Sequence, residues 1–391
     1  MSMNVEKEQI FQFIDDHRME MIEFWRDIVN QDTYSAYKEG VDRLQNQLKD
    51  NLEGDGAKVR IVEFENAGNM LIAELGEGSL PAVVFSGHVD TVFEVGSAQE
   101  RPFFIKDGKA YGPGVLDMKG GVVAMIYAIK ALRAAGFAER PIKVLLAGDE
   151  EPGHGSTNVA QIFMREAAGC VAAFNCETGF PDDGIVVGRK GVGYFNLEVR
   201  GVAAHCGNEP EKGRSAIREI AYKVIEIEKL TDLPKGITAN IGVIEGGTVS
   251  NAMPAFAKIQ IDARCNDELE IPILTKKLED IAAKTYVDGT STSFSGGFRF
   301  QPMKTTAGVK QLFEFVKTVS SENGFGVPYA KFSGGGADSA YTVMAGVPTV
   351  CAMGVKGGRN HSAEEYAIVE TLFERAKLLA LCVLNLNRLN P

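Results

Sequence analysis

Between Glu6 and Asn30 the apolar residues Ile10, Phe13, Ile14, Met21, Phe24, Trp25 and Ile28 recur mostly three and four apart, which predicts one amphipathic helix. A second helix is predicted over Val41–Leu52, closed by Gly54-Asp55-Gly56. Short strand-like runs follow at Val59–Phe64, Met70–Leu75 and Ala82–Ser86. Past the glycines at 112 and 114, good helix formers fill Gly120–Ala135 up to Gly136. Val144–Ala147 is a continuous apolar run, short enough to be a strand buried on both faces. Ser156–Ala168 reads as a helix and Val171–Asn175 as another buried strand. Strands alternating with helices in this way predict an α/β fold whose mostly parallel sheet is covered on both faces.

The pattern changes after residue 188. Gly193–Arg200, Thr238–Ile244 and Ala257–Ala263 alternate, helices are predicted over Ser215–Leu230 and Ile271–Thr285, and a strand near Thr292–Phe298. Half-exposed strands with two helices predict a small α+β domain built on an antiparallel sheet. From residue 302 the helix Gly308–Glu322, the strand Pro348–Met353 and the helix Val369–Leu386 resume the first pattern. The expected organisation is therefore a discontinuous α/β domain, residues 1–188 and 302–391, with residues 189–301 inserted into it.

Composition narrows the function. Of 391 residues, 45% are hydrophobic and 24% charged, an ordinary balance that excludes disorder and a membrane bundle. Forty-one Lys and Arg against 52 Asp and Glu leave a net charge of −11, with no basic block to hold nucleic acid or an anionic membrane. Six cysteines include no Cys-x-x-Cys pair, and no apolar run follows Met1 that could serve as a signal peptide, so the expectation is a cytoplasmic protein with reduced thiols.

Five histidines are concentrated near acidic residues. His88 stands in Ser86-Gly87-His88-Val89-Asp90 at the end of an apolar run, where open α/β sheets bind ligands. Two residues on, Asp90 can support the ring nitrogen that does not face a metal. Asp117, in the glycine-rich turn Tyr111–Gly121, reads either as a helix cap or as a carboxylate presented to two cations. The decisive segment is Gly148-Asp149-Glu150-Glu151-Pro152-Gly153-His154, three carboxylates crowded at the exit of a buried strand. Such charges repel unless cations or shifted pKa values relieve them. Glu151 can then ligate a metal while Glu150 aims at water. Cys176-Glu177 ends another strand, and His361 lies in Asn360-His361-Ser362-Ala363-Glu364-Glu365. His17 reads as structural and His154 as a turn residue. Two histidines with Asp117, Glu151 and Glu177 suit two divalent ions, most naturally Zn2+, about 3.5–4 Å apart.

In this order the motifs resemble the M20 family of co-catalytic zinc peptidases and amidohydrolases, in particular its glutamate carboxypeptidase (carboxypeptidase G2-like) branch, over nearly the whole chain. The resemblance implies a zinc-peptidase-like sheet with an inserted lid and dimerisation domain. It assigns His88 and Glu177 to one zinc, Glu151 and His361 to the other, and Asp117 as the bridge, often followed by a cis peptide. Glu150 becomes the general base and Asp90 the support of His88. His205, in Gly201–Gly207, would contact the tetrahedral intermediate, in several relatives from the partner subunit. Asn251 and Arg264 would hold the substrate carboxylate, although Arg264 could instead pair with Asp262 or Asp267. Gly335 and Gly336, in a turn that lacks the Gly-Lys-Ser/Thr of a phosphate loop, would line the cleft. The implied activity is release of a C-terminal amino acid, with glutamate the candidate, from a peptide or N-acyl amino acid by a homodimer. The alternatives are an N-acyl or N-carbamoyl amidohydrolase or dipeptidase on the same scaffold and, more remotely, a non-catalytic zinc-dependent binding protein.

Overall fold

The uninterrupted apolar runs form the centre of a six-stranded sheet in the computed structural model, which describes residues 3–155 and 157–389. Its strand order is Lys58–Val62, Gly68–Leu75, Ile142–Gly148, Val83–His88, Ala172–Asn175 and Thr349–Val350. The last four run parallel, while Gly68–Leu75 pairs antiparallel on both sides. One face packs Met70, Ile72, Val84, Leu145 and Ala173 against Val159, Ile162 and Phe163 of the helix Val159–Ala167. Ser156, where that helix was expected to begin, lies outside the described residues. On the other face Leu71, Phe85, Val144 and Phe174 are equally buried, and the Gly120–Ala134 helix brings Met125 against Gly87. A sheet covered on both sides accounts for the missing polar alternation.

The chain divides into two compact units, one of Met1–Gly188, Thr305–Phe332 and Ala337–Pro391, the other of Arg189–Lys304 with Ser333–Gly336. The glycine-rich turn joins the second unit because Arg189 Nη1 donates to the carbonyls of Gly335 and Gly336, at 3.2 and 3.0 Å. Within that unit the strands Thr238–Gly246, Phe256–Cys265, Gly191–Arg200 and Ser291–Phe300 form an antiparallel sheet in this order. Helices Ala216–Glu228 and Glu270–Ala283 cover it through Ile220, Leu274 and Leu278.

Three expectations need correction. The first helix is two, Met3–Asp16 and Arg18–Val29, broken at His17, whose ring Nδ1 donates to the Phe13 carbonyl at 2.7 Å and stacks on the Phe13 ring. The strand expected over Pro348–Met353 is only Thr349–Val350, because Cys351 bridges sideways to Val186 and Ala352 takes a left-handed φ of 66°. A small sheet was not foreseen: Gly357–Gly358, Tyr366–Ile368, Lys109–Tyr111 and Phe104–Lys106. Its pairs Gly358↔Tyr366 and Tyr366↔Tyr111 hold the loop bearing His361 beside the turn bearing Asp117.

Among the described residues no helix is long and apolar enough to cross a membrane.

Candidate metal centre

Each acidic or imidazole side chain of the site stands on a short excursion from an element that is itself rigid. His88 closes its strand, Glu150 and Glu151 follow Ile142–Gly148, and Glu177 follows Ala172–Asn175, all at carboxyl ends of parallel strands. Asp117 lies in the Val115–Lys119 turn, pinned by Trp25 Nε1 on the Val115 carbonyl at 3.2 Å. A close approach at Gly121 brings this turn to the exit of the Glu177 strand, since a Cβ there would sit 1.9 Å from the Cys176 carbonyl oxygen. Only glycine permits it.

The predicted ligands meet. His88 Nε2 is 3.3 Å from Asp117 Oδ1 and 3.3 Å from Glu177 Oε1. His361 Nε2 is 3.2 Å from Asp117 Oδ2 and 3.3 Å from Glu151 Oε2. Two donor groups capable of holding an ion therefore share Asp117, one oxygen facing each. Asp117 caps nothing; its peptide to Met118 is cis. Donors bound about 2.0–2.1 Å from a tetrahedral ion stand about 3.3 Å apart, the edge length seen here, and nitrogen with carboxylate oxygen is a zinc-type donor set.

Charge points the same way. Asp117, Glu150, Glu151 and Glu177 crowd the buried ring of His88 and the half-open ring of His361. Although burial opposes it, Glu177, Glu150, Asp117 and Asp90 hold the His88 pKa well above its ordinary value. His361 is pushed up to about 11 by Asp117 and Glu151. Burial pushes Glu151 up to about 7 and raises Glu150 well above the usual carboxylate range. Asp117 stays well below that range, because His361 and His88 outweigh its burial. Acids kept protonated around acids are the condition that divalent cations relieve.

Glu150 is 6% exposed, and its carboxylate accepts no hydrogen bond from any described residue. Asp90 does more than face His88. Its oxygens accept the Glu150 and Glu151 amides at 3.1 Å each and the Ser35 hydroxyl at 2.7 Å. His88 Nδ1 lies 3.0 Å from the Asp90 carbonyl and 3.4 Å from its carboxylate, so main chain and side chain both fix the ring.

Other expected residues belong to the second unit. The His205 and Asn251 segments pair through the Cys206 amide on the Asn251 carbonyl at 3.1 Å and a bridge between His205 and Ala252. His205 Nδ1 accepts the amides of Gly207 and Asn208 at 3.2 Å each. Arg264 pairs with Asp262 through Nε and Nη2, 2.8 Å each, while Asp267 goes to Lys304. The alternative pairing weighed for Arg264 is thus the one formed, and its Nη1 donates to the Gly334 carbonyl at 2.7 Å, beside Gly335 and Gly336.

Residues not foreseen also shape the site. Glu365 Oε1 accepts the amides of Leu116 and Asp117 at 2.7 and 3.0 Å, and burial with the Asp117 charge pushes its carboxyl up to about 8. Asn360 Nδ2 donates to Asp117 Oδ2 at 3.2 Å. His154 lies in the turn, as expected, but its ring is buried between Asp149 and Asp338.

The profile of Peptidase family M20/M25/M40 matches residues 84–385. Carboxypeptidase G2 of Pseudomonas sp. (strain RS-16) is 28% identical over 96% of this chain and 92% of that protein. Succinyl-diaminopimelate desuccinylase of Acidiphilium cryptum (strain JF-5) is 28% identical, covering 86% of this chain and 91% of its own. Among solved structures, a tripeptidase from Staphylococcus aureus superposes with a TM-score of 0.79 at 22% identity, over 95% of this chain and 99% of that one.

Proposed function

Because the chain belongs to peptidase family M20/M25/M40, a family of metal-dependent peptidases and amidohydrolases, we propose that it hydrolyses an amide bond with two divalent ions, zinc by donor set, releasing a C-terminal amino acid, with glutamate the first candidate. His88, Asp117 and Glu177 would hold one ion and Asp117, Glu151 and His361 the other. The observation that carries this reading is the sharing of Asp117, with His88 Nε2 at 3.3 Å from one of its oxygens and His361 Nε2 at 3.2 Å from the other. Bound there, the ions supply an acidified water and a polarised carbonyl at neutral pH. The protein does the rest.

Glu150, unpartnered and raised in pKa by burial, takes a proton from the attacking water as its oxygen bonds the carbonyl carbon. It returns that proton to the nitrogen as the C–N bond breaks. Asp90 keeps the base's backbone in register by accepting the amides of Glu150 and Glu151. Because His205 Nδ1 accepts two amides, Nε2 is the ring nitrogen left to donate, and it would serve the developing oxyanion. Asn251 and the remaining Nη1 and Nη2 protons of Arg264 would receive the substrate carboxylate. We further propose a cytoplasmic homodimer, joined along the open Thr238–Gly246 edge of the second unit, where Val243 and Ile244 are exposed.

The second reading, an N-acyl amino acid amidohydrolase on the same scaffold whose substrates carry the same free carboxylate, is favoured by the likeness to a succinyl-diaminopimelate desuccinylase. One experiment serves both. The zinc-loaded enzyme is offered peptides ending in glutamate, N-acyl glutamates, dipeptides and N-carbamoyl amino acids. Glu150→Gln should lower kcat by about 10²–10⁴-fold with metal content unchanged. An active Glu150→Gln enzyme refutes the base, and a wild-type protein inert towards the whole panel refutes the hydrolase.

A further inference from the structure

Glu150 inherits its position from its backbone, because its carboxylate has no hydrogen bond of its own among the described residues. Asp90 holds one end of that backbone. The other end is a tight reversal, with the Gly153 amide on the Glu150 carbonyl at 2.7 Å and the His154 amide on the Asp149 carbonyl at 3.2 Å. It needs left-handed backbone at Gly153 (φ 74°) and at His154 (φ 56°), which is not a glycine. The strain at His154 is borne because its ring is held on both sides. Nδ1 meets Asp149 Oδ1 at 2.7 Å and Nε2 meets Asp338 Oδ1 at 2.6 Å. Thr157 Oγ1 donates to the other oxygen of Asp149 at 2.7 Å. Asp338 is 1% exposed and its Oδ2 has no partner among the described residues, so the ring is the one hydrogen-bonded hold on that carboxylate. An imidazole that donates to two carboxylates carries both protons.

We propose that His154 is a positioning residue and Asp338 its anchor, the Asp149–His154–Asp338 link fixing the reversal from which Glu150 reaches the attacking water. The inference rests on the reading of Glu150 as the base. A carboxylate that transfers a proton works only from a narrow range of positions, and small displacements cost rate without costing binding. The link thereby acts on kcat and leaves the metal ligands alone.

The test compares His154→Ala, Asp338→Asn and the double variant His154→Ala/Asp338→Ala as zinc-loaded enzymes. Each should lower kcat about 10- to 100-fold with KM and metal content unchanged. The double variant should lose no more than His154→Ala alone, since both changes break one link. Should His154→Ala strand the Asp338 charge and fail to fold, the isosteric Asp338→Asn and the charge-free double variant carry the comparison. ¹⁵N NMR of the wild-type enzyme at neutral pH should find both ring nitrogens of His154 protonated. Turnover within twofold of wild type, a parallel loss of metal, or a neutral ring overturns the proposal. An active Glu150→Gln enzyme overturns the reading of Glu150 and this link with it. An inactive Glu150→Gln beside a fully active Asp338→Asn overturns the link alone.

Discussion

Asp117 reaches both donor groups because its two oxygens point to different imidazoles, and everything nearby serves that orientation. Glu365 holds its amide and Asn360 one of its oxygens. A pH dependence of metal uptake results. Without metal, Glu151 titrates near 7 and His361 near 11, each raised above its ordinary value. Both must lose protons to bind an ion, so uptake releases protons and affinity weakens as pH falls through those values. Chelator competition should show zinc affinity rising steadily from mildly acidic to alkaline pH, and a flat profile would contradict the ligand assignment. The candidate ligands could be picked out of the sequence because each stands at a recognisable strand exit or glycine-flanked turn, or beside a run of acids. Glu365 was not, because its neighbour Glu364 offers the same chemistry and only burial separates them. Nor could spacing reveal that His154 has a second carboxylate from Asp338, far along the chain.

Buried strands betray themselves by uninterrupted apolar runs, and the central strands were found to within a few residues. Elements set by local backbone conformation were harder. The Phe104–Lys106 and Lys109–Tyr111 hairpin turns through Asp107 and Gly108, both left-handed, a two-residue signal that apolar periodicity ignores. The break at His17 is likewise invisible to a pattern whose apolar spacing continues across it. Where helix Gly120–Ala134 meets the exit of the strand Ala172–Asn175, contact is closer than any side chain allows. Gly121→Ala is expected to cost about 1–3 kcal/mol of stability and to weaken zinc binding, because it pries the Asp117 turn from Glu177. Denaturation midpoints and metal stoichiometry equal to wild type would show that the approach is not needed.

The alternating segments of residues 189–301 lie in the second compact unit, Arg189–Lys304 with Ser333–Gly336. The sequence did not reveal that Ser333–Gly336 joins the second unit, since arginine bonds to glycine carbonyls leave no periodicity. In that unit an edge strand with Ile244 59% exposed is a ready template for pairing with another strand. Sedimentation should find a dimer at micromolar concentration, and Ile244→Lys should shift it towards monomer; a wild-type protein that stays monomeric refutes the assembly.

The two imidazoles of the centre differ in one respect that matters when metal is scarce. His88 is 1% exposed, whereas the side chain of His361 is 51% open to water. In the two-ion centre proposed above, an ion that ended on such a ring would be plucked away by a scavenger while its neighbour stayed sealed under protein. Starvation would then silence the enzyme in stages, leaving a half-charged form that needs only one atom to revive.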